Sequence, residues 1–176
     1  NRLIRLINNF IDSTKLENNK VEIHKKRVNI VSITEDITMS VINFAKRQKI
    51  DVVFDAEQEE LYCDIDIDQM ERIMLNILSN AIKYTTKGTV SIYPLENKKL
   101  VIEDTGIGIS EEDIPRIFDK GFTGYNGRTN KKASGLGLYL CKNILDKLSH
   151  KISIESEVGV KTKVILDLSM IDINIE

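Results

Sequence analysis

Residues 66–84 place two asparagines one turn apart in an otherwise apolar helix, which restricts what the chain can become. Asp66, with Gln69 three residues on, is a helix-start signal, and the apolar period runs to Tyr84. On such a helix Met70, Ile73, Ile77 and Ala81 line one face, while Asn76 and Asn80, then Lys83 or Tyr84, share another. The apolar face requires a covering layer. The polar face requires a reason, because asparagine is a poor helix former. Two are open: a solvated stripe, or an oxygen edge for Mg²⁺. That hard cation takes few protein ligands where phosphates and water complete its shell.

Residues 1–17 carry Leu3, Leu6, Ile7, Phe10, Ile11 and Thr14 at three- and four-residue steps, an amphipathic helix whose stripe needs a partner helix. Residues 21–30 mix β-like pieces with a basic turn at Lys25, Lys26 and Arg27. A capping box, Ser32 with Glu35, predicts a helix from there to Arg47. Short strands are expected at 50–54 and 61–63 around an acidic turn. A hairpin follows at 89–93 and 100–104, with its turn at 94–98. Ser110 with Asp113 opens a short helix to Phe118, Gly135 begins a helix to Leu148, and strands near 151–156 and 162–168 close the domain. Strands and helices do not alternate regularly, which argues against a doubly wound parallel sheet. The expected fold is α/β (α+β): a two-layer sandwich with a mixed sheet covered on one face by helices.

With 41% hydrophobic residues among 176, one sizeable core is possible. The 25 basic and 27 acidic residues give net −2, which points away from nucleic acid or a membrane surface as the partner. A polyanion would therefore be held locally. Cys63 and Cys141 fit no metal spacing and read as two reduced thiols. No apolar run approaches the roughly 18 residues that span a bilayer, and the opening residues do not read as a signal peptide. The start in mid-helix, without an initiator Met, suggests a piece of something longer.

Three further signals follow the asparagine helix. Asp104-Thr105-Gly106-Ile107-Gly108 comes directly after an apolar strand. Its carboxylate suits an exocyclic amine and its glycines suit close approach of a flat ring, although an ordinary turn would look alike. Residues 119–134 set Lys120, Arg128, Lys131 and Lys132 against Asp119 alone: a basic lid, or a solvated charged loop. Ser134-Gly135-Leu136-Gly137-Leu138 opens a helix with a glycine pair, where free N–H groups favour phosphate. It is neither a Rossmann fingerprint nor a Walker A loop.

In this order and at this spacing, the four resemble the Bergerat-type ATP-binding fold. Histidine kinases, gyrase-like topoisomerases, mismatch-repair ATPases and heat-shock ATPase chaperones share that fold. Residues 76–85 resemble the N box, 104–110 the first glycine box, 117–122 the F box and 135–140 the second glycine box; the likeness covers about 30–168. The resemblance implies Mg²⁺ coordination by Asn80 with Asn76 alongside, a phosphate contact from Lys83, and Tyr84 near the ribose or base. It implies adenine binding by Asp104, with Gly106 and Gly108 allowing ring approach and Ile109 an apolar wall. Phe118 would anchor the lid, and Arg128 and Lys131 would reach the γ-phosphate. Gly135, Leu136, Gly137 and Leu138 would form the phosphate-binding helix start, and Thr162 the last glycine box. That box departs from the usual Gly-x-Gly-Thr, reading Gly159-Val160-Lys161-Thr162.

Hydrolytic relatives, and the related serine kinases, carry a glutamate at the position of Asn76, where it deprotonates the attacking water or hydroxyl. An amide cannot do this, whereas an imidazole acceptor brings its own lone pair. The resemblance therefore implies an ATP-dependent histidine kinase of a two-component system, ahead of an ATPase, a serine kinase or a nucleotide-binding regulator without turnover. Residues 1–19 resemble the end of the second helix of a dimerisation and phosphotransfer hairpin, 20–170 the catalytic domain, and 171–176 a tail. Neither His24 nor His150 has the context of a phosphoacceptor; His150 reads as a helix C-cap. The implied partners are the parent protein's own dimerisation domain, a second subunit and a response regulator. The implied location is cytoplasmic, in a membrane-anchored sensor, with no membrane contact by this piece. Residues 119–128 further resemble the lid of kinases from Gram-positive bacteria that sense cell-envelope antibiotics.

Overall fold

The computed structural model describes residues 22–123 and 137–169. The expected helix at 1–17, the lid cations Arg128 and Lys131, the glycine-box residues Gly135 and Leu136, and the 171–176 tail lie outside them. So does half of the stretch compared with antibiotic-sensing kinases, residues 124–128.

Among the described residues, three helices, α1 (Ile30–Arg47), α2 (Ile67–Lys83) and α3 (Gly137–Lys147), accompany seven strands. The strands are β1 (Lys26–Asn29), β2 (Ile50–Phe54), β3 (Tyr62–Ile65), β4 (Gly88–Leu95), β5 (Lys99–Asp104), β6 (Lys151–Glu157) and β7 (Lys161–Asp167). Five form one mixed sheet in the order β2-β4-β5-β7-β6, in which only β2 and β4 run parallel. β1 and β3 form a separate antiparallel pair. The two strands flanking the acidic turn, β2 and β3, thus belong to different sheets. Parallel β2 and β4 need a long crossover, and β3 with α2 supplies it.

The core is the helix-facing side of the large sheet. Met70, Ile73, Met74, Ile77, Leu78, Ala81 and Ile82 of α2 are buried together with Ile37 of α1, Leu140, Ile144 and Leu145 of α3, and Ile92, Leu100, Ile102 and Leu166 from the strands. Each fully buried Leu, Ile or Met contributes roughly 1.5–3 kcal/mol of transfer energy. The mixed sheet with helices on it is the architecture expected from the element order.

Several boundaries differ from the sequence expectation, each for a local reason. α1 begins at Ile30 rather than at Ser32, because Asn29 is its cap: Asn29 Oδ1 accepts from Val31 N–H at 3.2 Å and from Leu61 N–H at 3.1 Å. The cap also buckles the helix start to the chain entering β3. β4 runs through Pro94, and the hairpin turn falls later, at 96–98. β2 ends at Phe54 opposite Ile92, so the missing N–H of Pro94 lies beyond that partner strand. Residues 110–118 make turns and one 3₁₀ turn (Ile114–Arg116), with proline in its first positions, rather than an α-helix. His150 is no C-cap. Its N–H donates to Leu145 O at 2.9 Å and its ring is buried, which pushes its pKa down to about 4, with Lys25 nearby adding to the effect. Cys63 and Cys141 are free and buried.

Asp66 caps α2 as expected, accepting from Gln69 N–H at 3.1 Å, and its second oxygen accepts from His24 N–H at 2.8 Å. Because Asp66 is buried, Asp66→Ala strands both donors. We expect it to cost about 2 kcal/mol in urea unfolding. Asp66→Asn, which keeps an acceptor, should recover most of that loss. Equal stability of the alanine variant and the parent chain would show that the cap is dispensable.

Candidate functional site

α2 presents its polar edge to the start of α3. A methyl group built on Gly137 would lie 4.0 Å from both Asn76 Oδ1 and Asn80 Nδ2. One turn on, the buried Cys141 thiol approaches Ile73 O at 3.8 Å, so α3 runs antiparallel to α2. Asn76 and Asn80, both half-buried, therefore share a seam with the first described turn of α3. A distance of 4.0 Å is ordinary contact. Nothing within the described residues demands glycine at 137.

The glycines after β5 are different. A Cβ at Gly106 would fall 2.5 Å from Tyr84 O and 2.7 Å from Asp104 Oδ1. Gly108 has φ +74, and a Cβ there would sit 2.4 Å from Glu157 O. The chain itself requires both. The loop they form is tied at each side: Ile107 N–H donates to Tyr84 O at 3.1 Å, and Gly159 N–H donates to Ile107 O at 2.8 Å. It lies clamped between the end of α2 and the β6–β7 turn. Asn80 and Asp104 are thus joined through one short junction, since Tyr84, the C-cap of α2, donates its own N–H to Asn80 O.

Asp104 ends β5 and is 7% exposed. Gly106 N–H donates to its Oδ1 at 2.9 Å. Burial pushes its pKa up to about 6; the Gly106 N–H opposes the shift, neighbouring Glu103 reinforces it and the Thr85 hydroxyl opposes it. Thr162 faces Asp104 directly in the β5–β7 register, and Ser156 faces Thr162 in the β6–β7 register. The three side chains form one row across three strands on the buried side of the sheet. Ile109 is half-buried beside this row, donating its N–H to Ser156 Oγ at 2.8 Å.

Lys83 is exposed, its ammonium 5.0 Å from the centre of the half-buried Tyr84 ring. Phe118 and Leu138 are half-buried. Lys120 lies 5.8 Å from the Tyr139 ring, which brings the segment after the 3₁₀ turn alongside α3. The structure therefore gathers Asn76, Asn80, Tyr84, Asp104, Gly106, Gly108, Ile109, Gly137 and Thr162 around the α2–α3 seam and its neighbouring loop. Sequence reasoning missed Ser156 and Thr85. Both are short hydroxyl residues in ordinary-looking positions, and only strand register could have singled out Ser156.

Residues 65–171 match the family model described as histidine kinase-, DNA gyrase B-, and HSP90-like ATPase, and this chain belongs to that family. It is 31% identical over 154 residues to histidine kinase P4 of Formosa agariphila, covering 83% of this chain and 11% of that protein. It is 28% identical over 172 residues to the sensor protein SrrB of Staphylococcus aureus, covering 95% of this chain and 29% of that one. The chain thus spans less than a third of either relative. Among solved structures, full-length ShkA in complex with AMPPNP superposes with a TM-score of 0.80 at 20% identity, over 93% of this chain and 35% of ShkA. The Acinetobacter baumannii histidine kinase AdeS gives 0.75 at 22%, over 96% and 78% of the two chains. The nucleotide-free catalytic domain of ThkA gives 0.70 at 22%, over 81% and 95%. These likenesses establish the fold.

Two outcomes follow from the geometry. The folded state holds the Asp104 proton to about pH 6, whereas an unfolded carboxyl releases it near pH 4. The stabilising contribution is complete below about pH 4 and is lost as pH rises through about 6. Asp104→Asn should therefore stabilise the ligand-free domain by about 1–3 kcal/mol at pH 7 and by little at pH 4, read from urea denaturation at both. An equal effect at the two pH values contradicts the assignment. Separately, Gly106→Ala should lower the melting temperature by several degrees, since its methyl meets a backbone carbonyl. Gly137→Ala should leave it within about a degree or two, because the new methyl finds open contact distance. Calorimetric scans of both variants check the contrast.

Proposed function

We propose that this chain is the catalytic domain of a two-component sensor kinase, binding Mg–ATP and donating the γ-phosphate to a histidine on the parent protein's dimerisation domain. One observation carries the reading: the asparagine edge of α2 meets the start of α3 along its flank and the Asp104 loop at its end. An asparagine edge suited to a metal, a glycine-started α3 suited to phosphate and a buried carboxylate are thereby contiguous.

Each end fits its half of the nucleotide. Asp104 is buried where an adenine amine can donate to it, with Ile109 nearby and Tyr84 at the ribose side. The Asn80 side-chain oxygen, with Asn76 next to it, is a neutral donor set too small to hold a divalent cation alone, which suits Mg²⁺ completed by phosphate and water. Bound there, Mg²⁺ supplies charge neutralisation to the triphosphate. Gly137 carries no side chain although its described neighbours, Asn76 and Asn80, would tolerate one, consistent with a phosphate brought against its backbone. Lys83, Arg128 and Lys131 contribute positive charge, Gly135, Leu136 and Leu138 complete the helix start, Phe118 anchors the lid, and Thr162 stands beside Asp104.

Transfer needs no base from this domain. The lone pair of an imidazole nitrogen attacks the γ-phosphorus, the bond from that phosphorus to the β–γ bridging oxygen breaks, and ADP leaves. The domain's share is alignment and electrostatic stabilisation. With the amide of Asn76 where a glutamate would otherwise stand, water is left unactivated. The phosphohistidine then passes its group to an aspartate of a response regulator. No helix among the described residues is long and apolar enough to cross a membrane. We place the domain in the cytoplasm, attached through residues 1–19 to the dimerisation hairpin of a membrane-anchored homodimer.

Asp104→Asn should weaken ATP binding by about 10- to 150-fold, the loss of a hydrogen bond to a charged group. Isothermal calorimetry checks this, and unchanged affinity would falsify the site. Incubating the domain with labelled ATP and the parent's dimerisation domain should yield an acid-labile, base-stable phosphoprotein. Steady phosphate release without that product would identify an ATPase instead. Tight binding with neither product would identify a nucleotide-sensing module.

A further inference from the structure

Ser156 has no hydrogen-bonding capacity left for a ligand. Its Oγ accepts from Ile109 N–H at 2.8 Å, donates to Lys161 O at 2.9 Å and lies 2.9 Å from Thr162 Oγ1. A hydroxyl owns one proton and two lone pairs. Either hydroxyl of the Ser156–Thr162 pair can donate; with the Ser156 proton on Lys161 O and one lone pair taken by Ile109, the arrangement that keeps all three bonds has Ser156 accept from Thr162. The Thr162 proton is therefore directed at Ser156, away from Asp104, which faces Thr162 from the next strand. Beside the Asp104 carboxylate, Thr162 offers lone pairs only.

We propose that Ser156 is a positioning residue that fixes purine selectivity: it holds Ile109 against the base site and turns Thr162 into an acceptor next to Asp104. This rests on the assignment of the Asp104 end as the base site. Two adjacent acceptors match a ring edge that donates, such as the 6-amino group of adenine, and repel one that presents a carbonyl there, as guanine does. Without the Ser156 hydroxyl, Thr162 is free to rotate and donate to that carbonyl, and the Ile109 strap is lost. The same contact braces the loop from the side opposite Tyr84, since Ile109 follows Gly108, the residue pressed on Glu157.

The test is calorimetric binding of ATP and GTP, each with Mg²⁺, to the parent chain, Ser156→Ala and Ser156→Thr, with melting temperatures recorded alongside. In Ser156→Ala the ratio of ATP to GTP affinity should fall by about 3- to 10-fold, the worth of one hydrogen bond gained or lost. Ser156→Thr, which keeps the hydroxyl, should restore the ratio. A purely structural role would lower both affinities together and leave the ratio unmoved, and that result overturns the proposal. So does failure of Ser156→Thr to recover selectivity in a folded protein. Should Ser156→Ala not fold, Thr162→Val provides the second route, because it removes the oriented acceptor from the other side; an unchanged ratio there is equally fatal. Failure of the parent chain to bind ATP would instead refute the nucleotide-site reading itself.

Discussion

The carbonyl of Tyr84, at the C-cap of α2, is where the architecture and the site become one problem. It accepts from Ile107 N–H, and Gly106 passes so close to it that no side chain fits. This contact fixes the loop after β5 onto the end of the helix that carries Asn76 and Asn80. A helix is stiff over its 1.5 Å-per-residue rise, so one junction sets the spacing between the asparagine edge and Asp104. The β6–β7 turn closes the other side of the loop through Gly159 and Ser156. Between those two supports, the loop has little freedom to drift.

That rigidity has an energetic consequence. Asp104 is buried, and the Gly106 N–H and the Thr85 hydroxyl only partly compensate, so at neutral pH its ionised form is held against its preference for water. A chain under selection for stability alone would place an amide there. Keeping a carboxylate buried there makes sense where a donor-bearing ligand completes its hydrogen bonds. The opposite pattern holds at Gly137, where the described residues leave room for a methyl that the chain lacks. One position carries a charge the fold would rather lose, and the other lacks a group the fold would accept. Both mark the places where something outside the chain sets the requirement.

Much of this was legible in the sequence, for physical reasons that vary by element. The α2 stripe, its Asp66 cap and β2 were readable because apolar period and capping chemistry are local. The two-layer sandwich followed from element order. The start of α1 was misread because its true cap, Asn29, draws part of its role from Leu61, 32 residues away. The hairpin turn falls later than expected because the end of a neighbouring strand lets β4 run through Pro94. Gly106 and Gly108 were read as clearance for a ring, yet both answer first to backbone contacts from Tyr84 and Glu157. Ser156 was invisible: an alternating strand offers no hint that one serine faces Thr162 and, beyond it, Asp104. Register, not composition, carries that information.

The central claim is that Asn80 and Asp104 address opposite ends of one nucleotide, and nuclear magnetic resonance of the isotope-labelled domain tests it most directly. Adenosine alone should shift the backbone amides of Gly106, Ile107 and Ile109 and leave the Asn80 side-chain amide where it was. Mg–ATP should move both sets with a single shared dissociation constant. If adenosine perturbs some other surface, or if the two sets saturate at different Mg–ATP concentrations, the two residues do not serve one ligand and the account is wrong.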